Sequence, residues 1–596
     1  MRSTALAVLG LVAVALPAAA QSPVIPRGWE NEVPSLSSLV AFERDQSELR
    51  VAVDRFVADR SALGRRYDVD YSAEADERLR RFYTGWEEAL DAAPFGSLNL
   101  EGQIDHVLLD HEVVFGLATL EERSRHIQEM RALLPFAERI QRLQLNRRQR
   151  LDVDARAAAQ ELADLATEVE ALDARIAAGG DDVPQVSPVV AYRAAEHLES
   201  LRRTLGSWHG YFGGYDPLFT WWAERPYEKL DGALEAYRET IRRELVGIRP
   251  GEIEPIIGDP IGAAGLEAHL RHQLIPYTAE ELIAIAEREF EWCEQELLRA
   301  ANDMGFGDDW RAAQEAVKRT AVPPGQKPSV VRDIAYDSEA FVHRDSSSTV
   351  PPLASEIWRM EMMSPQQQLV NPFFLGGEVI RISYPTDGME HDDKLMSMRG
   401  NNPHFNRATV HHELIPGHHQ QGFMRSRFNE HRNVFNTPFW TEGWALYWEM
   451  VLWDKDFPRS AEDRVGMLFW RMHRAARIIF SLRFHMETMS PQEAVDFLVD
   501  RVGHERANAE AEVRRSFIGN YSPLYQAGYM LGGLQLVALR EELVDSGRMT
   551  ERDFHDAVLQ GGSMPIEMVR ARLLGQPLEA GYTTRWRFAG EPLEGR

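Results

Sequence analysis

Residues 148–178 read RQRLDVDARAAAQELADLATEVEALDARIAA, dominated by alanine, leucine, glutamate and arginine with neither proline nor glycine. Such residues lose little conformational freedom in a helix, and nothing in the run interrupts one. The stretch predicts a long helix, and the same pattern extends outward from it. Thr278-Ala279-Glu280-Glu281 and Ser490-Pro491-Gln492-Glu493 each set a hydroxyl three residues before a glutamate, the capping box that opens a helix. The second also has proline at the first helical position. Strand signal is scarce. Its best candidate is 378–384, where Val379, Ile380 and Ile382 lie between Gly376-Gly377 and Pro385. The expected class is mostly α with a small β element near 378–384.

A chain of 596 residues exceeds what one core fills, so at least two lobes are expected. Three stretches look like breaks: 247–265, dense in Gly, Pro and Ile, reads as a crossing between lobes, while 322–329 and 345–352 read as surface loops. Chemistry-bearing clusters fall after the first break. The division is then a signal peptide at 1–20, an N-terminal helical region at 21–250 and a catalytic helical region at 251–596. The signal reading rests on Arg2, an apolar run over 5–16 too short to span a bilayer, Pro17, and Ala18-Ala19-Ala20 before Gln21. No cysteine follows these small residues, which argues against a lipid anchor. The mature chain is expected to be exported, periplasmic or extracellular, and free of the membrane after signal cleavage. Its net charge of -26 argues against nucleic acid as a partner. Cys293, the only cysteine, sits at helical spacing with Leu282, Ile285, Ala286 and Leu297, and is read as a buried structural thiol.

The chemistry concentrates in His411-His412-Glu413-Leu414-Ile415-Pro416-Gly417-His418-His419 and in Thr441-Glu442-Gly443-Trp444-Ala445-Leu446-Tyr447-Trp448-Glu449. Imidazoles and carboxylates are the ligand types of a catalytic zinc, one per chain. In an unbroken helix His412 would share a face with His419. Pro416 cannot extend such a helix, and a break there can swing His418 toward His412 instead. Spacing alone leaves both pairings open. Glu413 follows a ligand directly and is the natural general base. Glu442, 24 residues after His418, is the candidate third ligand. Glu449, seven residues further, lies on the same helix face and could hold a ligand histidine from behind.

Tyr525 and Tyr529 stand four apart and would project to one side of a helix. A phenol near a metal site can donate to the oxyanion formed when water attacks a carbonyl. His504 is a candidate substrate contact.

At these residues the chain resembles the domain-of-unknown-function 885 family of exported, largely helical bacterial proteins. The family's H-E-x-x-P-G-H-h core is matched by His412 to His419, and its E-G-W-A-L-Y segment by Glu442 to Tyr447. The resemblance implies His412 and His418 as histidine ligands, Glu413 as base and Glu442 as third ligand, with His419 left in a supporting role. It departs at Glu512-Val513-Arg514-Arg515-Ser516-Phe517, where the family usually has E-V-x-R-Y-I. A more distant similarity connects the site to thimet oligopeptidase, angiotensin-converting enzyme and Taq carboxypeptidase. That similarity implies a two-lobed helical clamshell around a deep channel.

The function these readings favour is a zinc metallopeptidase acting on short peptides, of dipeptidyl-peptidase, oligopeptidase or carboxypeptidase type. A zinc hydrolase of another amide or ester has the same metal and base. A helical binding protein with a vestigial site is the third reading, and the intact His412, Glu413, His418 and Glu442 count against it. A di-iron bundle would need Glu-x-x-His pairs, and none of the 19 histidines has glutamate three positions before it.

Overall fold

The computed structural model describes residues 46–589 other than 250–254, 324, 369–370, 372 and 520, together with Leu36, Ser37, Val40 and Phe42. The expected signal peptide lies outside the described residues. Of the described residues 71% are helical, with one small sheet among them, so the class is mostly α.

Both capping boxes form as their spacing requires. Thr278 and Glu281 cap Ala279–Asp303, and Ser490 and Glu493 cap Pro491–Phe497. Residues 148–178 depart from the single helix expected of them. One helix, Ala137–Arg148, ends there and a second, Ala155–Ala178, begins. The side chain of Asp154 accepts from the N–H groups of Arg156 and Ala157, capping a new start where propensity alone favoured continuation. The β element appears at β1 (Arg359–Met362), β2 (Phe374–Leu375) and β3 (Val379–Ile382). Strand β3 is central, parallel to β1 and antiparallel to β2.

The apolar core divides in two: the chain leaves the larger core after Leu120, enters the smaller at Met130, and returns to the larger between Val246 and Ile256, within the break over 247–265. A smaller core, built from residues such as Leu162, Leu198, Phe219 and Tyr237, gathers Ala155–Ala178, Pro188–Phe212 and Pro217–Ile241. The larger one joins Val53, Phe82 and Leu109 to the helices after residue 262. Cys293 is buried within it, and burial pushes its thiol pKa up, as suits a structural role.

The stretch 345–352 corrects the surface-loop reading. Ser347, Ser348 and Thr349 are buried, and their polar groups find partners inside. His555 Nδ1 lies 2.7 Å from Ser347 O, Gln420 donates to Ser348 Oγ, and Thr349 N–H donates to Asp556. A serine-rich run is compatible with the interior once such acceptors and donors are supplied. Among the described residues no helix is long and apolar enough to cross a membrane.

Candidate metal centre

Helix Pro403–Glu413 starts under an Asn402 cap and stops abruptly at Leu414, whose φ of -108° and ψ of -111° are not helical. The chain turns through a cis Ile415–Pro416 bond and restarts as His418–Arg425. Gly417 permits the turn: a Cβ there would sit 1.9 Å from the carbonyl oxygen of His412. The break brings the rings of His412 and His418 to 4.7 Å, edge to face. His419 points elsewhere, with Nε2 2.7 Å from Ala354 O, and His411 packs edge-on against Phe457.

Glu442 arrives on Pro438–Asp454. Its Oε2 lies 3.1 Å from His418 Nε2 and 3.6 Å from His412 Nε2. One donor atom from each of His412, His418 and Glu442 lies within 4.8 Å of the others, a spacing a single ion could bridge. Behind His412, Glu449 Oε1 sits 2.7 Å from Nδ1, leaving Nε2 for the cluster. A carboxylate holding the far nitrogen of a ligand imidazole is the usual support of a metal-binding histidine. Two nitrogens, one carboxylate and this support suit zinc with a coordination position to spare. Without an ion, burial opposes charging of His412, yet Glu442 and Glu449 raise its pKa to about 9. Burial likewise works against the Glu442 carboxylate, but the neighbouring His418 and His412 hold it well below the usual range.

What sets Glu442 in place is a helix crossing without side chains. Pro438–Asp454 meets Tyr525–Arg540 at Gly443, where an added Cβ would lie 2.6 Å from Gly532 Cα. Trp444 Nε1–H donates to Pro416 O at 2.9 Å, tying the same helix to the turn between the histidines. Across the crossing, Tyr525 donates its O–H to Glu442 Oε1. Tyr529 lies nearly parallel to His412, with ring centroids 6.0 Å apart.

His412, His418, Glu442, Tyr525 and Tyr529 open on one cavity of about 490 Å³, lined also by Glu413, by Phe374 to Gly377 and by Arg474, Arg477 and Arg515. That volume lies in the range of small-molecule sites. His504 is not among the lining residues. It is buried with Nε2 2.9 Å from His473 Nδ1 and its ring 4.8 Å from Phe469, which corrects the expectation of a substrate contact. Burial lowers its pKa to about 3, as for a neutral histidine inside a core. Of these arginines the sequence pointed only to Arg515, within the stretch that departs from the family pattern, and it placed none of them at the cavity. Arg474 and Arg477 are one turn apart on Ala461–His485, whose buried apolar run could have exposed them as misplaced for a surface role.

The family model described as bacterial protein of unknown function (DUF885) matches residues 59–573. The chain belongs to DUF885. The matched span holds the whole of this DUF885 cavity, from Phe373 to Tyr529. No curated protein matches the sequence. Solved structures share the fold, among them the following two. A candidate lipoprotein of unknown function from Shewanella oneidensis superposes with a TM-score of 0.64 at 15% identity, over 87% of this chain and 98% of that one. A candidate lipoprotein from Colwellia psychrerythraea gives 0.54 at 16% identity, over 88% and 97%.

Proposed function

We propose that the protein is a zinc-dependent metallopeptidase for short peptides. The observation that carries this reading is the convergence of His412, His418 and Glu442, with Glu449 behind His412 and Glu413 beside it on the same cavity. A zinc ion held by these three residues would polarise a carbonyl and acidify water. Glu413 accepts the proton of the attacking water and returns it to the leaving amine. Tyr525 is committed to Glu442 through its O–H and holds that carboxylate in orientation. Tyr529 donates to the oxyanion formed at the substrate carbonyl. The cavity volume favours a short peptide segment over a folded protein. The reading extends to an exported enzyme, supported by the sequence of residues 1–20 and by the lipoprotein descriptions given to the similar structures.

The test is metal analysis combined with digestion of a peptide library read by mass spectrometry. About one zinc per chain is expected, with cleavage lost on chelation and restored by zinc. A metal-free protein that cleaves at full rate would overturn the reading.

A further inference from the structure

Arg474, Arg477 and Arg515 share the cavity with Glu413 and the metal cluster. They come from two helices, Ala461–His485 and Arg506–Ile518. The side chains of Arg474 and Arg477 are only 5% and 3% exposed, and arginines buried this far are normally fully paired. Here the pairing falls short. Glu449 Oε1 meets Arg474 Nη2 at 3.4 Å while it is already bound to His412. Glu512 accepts from Arg477 Nε at 2.7 Å and lies 3.8 Å from Arg515 Nε. Three guanidiniums therefore share two carboxylates, one of which also serves a histidine. Arg477 Nη1, Arg474 Nε and Arg515 Nε are buried without a hydrogen-bond partner among the described residues.

Two of these guanidiniums lie over one aromatic ring. The ring of Tyr529 lies 4.8 Å from Arg474 Cζ and 4.3 Å from Arg477 Cζ, and the same ring lies beside His412. The cationic wall and the metal cluster thus adjoin a single aromatic ring. A rigid planar guanidinium matches a carboxylate in geometry as well as charge, and all three residues line the cavity.

We propose that Arg474, Arg477 and Arg515 form an anion subsite that binds a substrate carboxylate beside the bond presented to Glu413. This rests on the peptidase reading and narrows it to substrates with a carboxylate near the cleaved bond. The carboxylate has two sources, the free C-terminus of a peptide or an Asp or Glu side chain close to it.

The experiment measures binding as well as turnover. Zinc-loaded E413Q protein is titrated calorimetrically with acetyl-Ala-Ala, with its C-terminal amide, and with acetyl-Ala-Asp amide. The free acid is expected to bind roughly tenfold or more tightly than the alanine amide, since charge-assisted bonds to arginine are the strong ones. If the aspartyl amide recovers that affinity, the subsite reads side chains; if it stays weak, the subsite reads the C-terminus. R477Q in the same background should reduce the acid preference to about twofold or less, and R477K should retain part of it. Because R477Q strands Glu512, R477Q/E512Q serves as a second variant with the buried pair removed together. Equal binding of acids and amides, binding of neither, or an acid preference untouched in both variants overturns the proposal. Acid-selective binding by a protein that cleaves no peptide keeps the subsite and removes the peptidase reading. Cleavage indifferent to carboxylates does the reverse.

Discussion

Replacing Glu449 by glutamine tests the support behind the metal centre. In the native protein Glu449 Oε1 lies 2.7 Å from His412 Nδ1, and both side chains are buried. The carboxylate accepts the Nδ1 proton, fixes the tautomer with its free electron pair on Nε2, and makes the ring a stronger donor. Glutamine keeps the shape but loses the charge, and its amide can turn either end toward the ring. Loss of such a support costs about ten- to a hundredfold in metal affinity, or about 1.4 to 2.8 kcal/mol. Arg474 also loses its 3.4 Å ionic partner, which lowers stability whether or not zinc is bound. The two effects separate in a pair of measurements: zinc affinity by competition with a chromophoric chelator, and melting temperature with and without zinc. E449Q should lower the melting temperature of both forms, and the gain on adding zinc should shrink. Zinc affinity within twofold of the parent, in a protein that is still folded, would refute the reasoning. Complete loss of zinc would make Glu449 itself a ligand.

The other expectations concern the cavity wall. E413Q should keep zinc, because Glu413 is outside the ligand cluster, while turnover falls by about a hundredfold or more; zinc loss in that variant would reassign the residue as a ligand. Y529F should lower kcat by about ten- to a thousandfold with KM much less affected, whereas Y525F, which removes a bond to Glu442, should show first as weaker zinc binding. Kinetics and zinc titration on both variants check the division, and a reversed pattern would exchange the roles. Burial opposes the Glu512 carboxylate, but Arg477 and Arg515 lower its pKa to about 2. A depressed pKa contributes stability that is present above the unfolded value near 4.5 and lost as pH falls toward 2. That contribution is on the order of 3 kcal/mol, so E512Q should be less stable than the parent at pH 7, with the gap closing between about pH 4.5 and 2 in urea titrations. A gap independent of pH would mean that the charge of Glu512 is not what holds the arginines.

Much of the centre was legible because its signals are local. A capping box states its own hydrogen bonds, and Pro416 within a run of histidines announces a broken helix. The choice between His418 and His419 was not legible from periodicity. It depends on the backbone of Leu414 and Gly417, which no helical period describes. Family resemblance pointed to His418, and the turn sets that residue rather than His419 beside His412 and Glu442. The readings that failed were those set by distant partners. His504 was expected at the cavity but is enclosed by His473 and Phe469, and Ser347, Ser348 and Thr349 are drawn inside by His555, Gln420 and Asp556. The arginine wall went unread for the same cause. Arg474 and Arg477 look like solvated charges until the helices around them are in place.

The crossing at Gly443 and Gly532 has a consequence for how the centre tolerates change. Most internal distances are held by side chains, which can reorient when a neighbour is enlarged or trimmed. Where main chain rests on main chain, that slack is missing, and the gap can alter only if an entire helix shifts. The span between Glu442 and Tyr525 thus inherits the stiffness of Pro438–Asp454 and Tyr525–Arg540 rather than the mobility of any one residue. Drift in the surrounding core can accumulate without reaching the Glu442 carboxylate, while one methyl group added at either glycine would act as a wedge between the two helices.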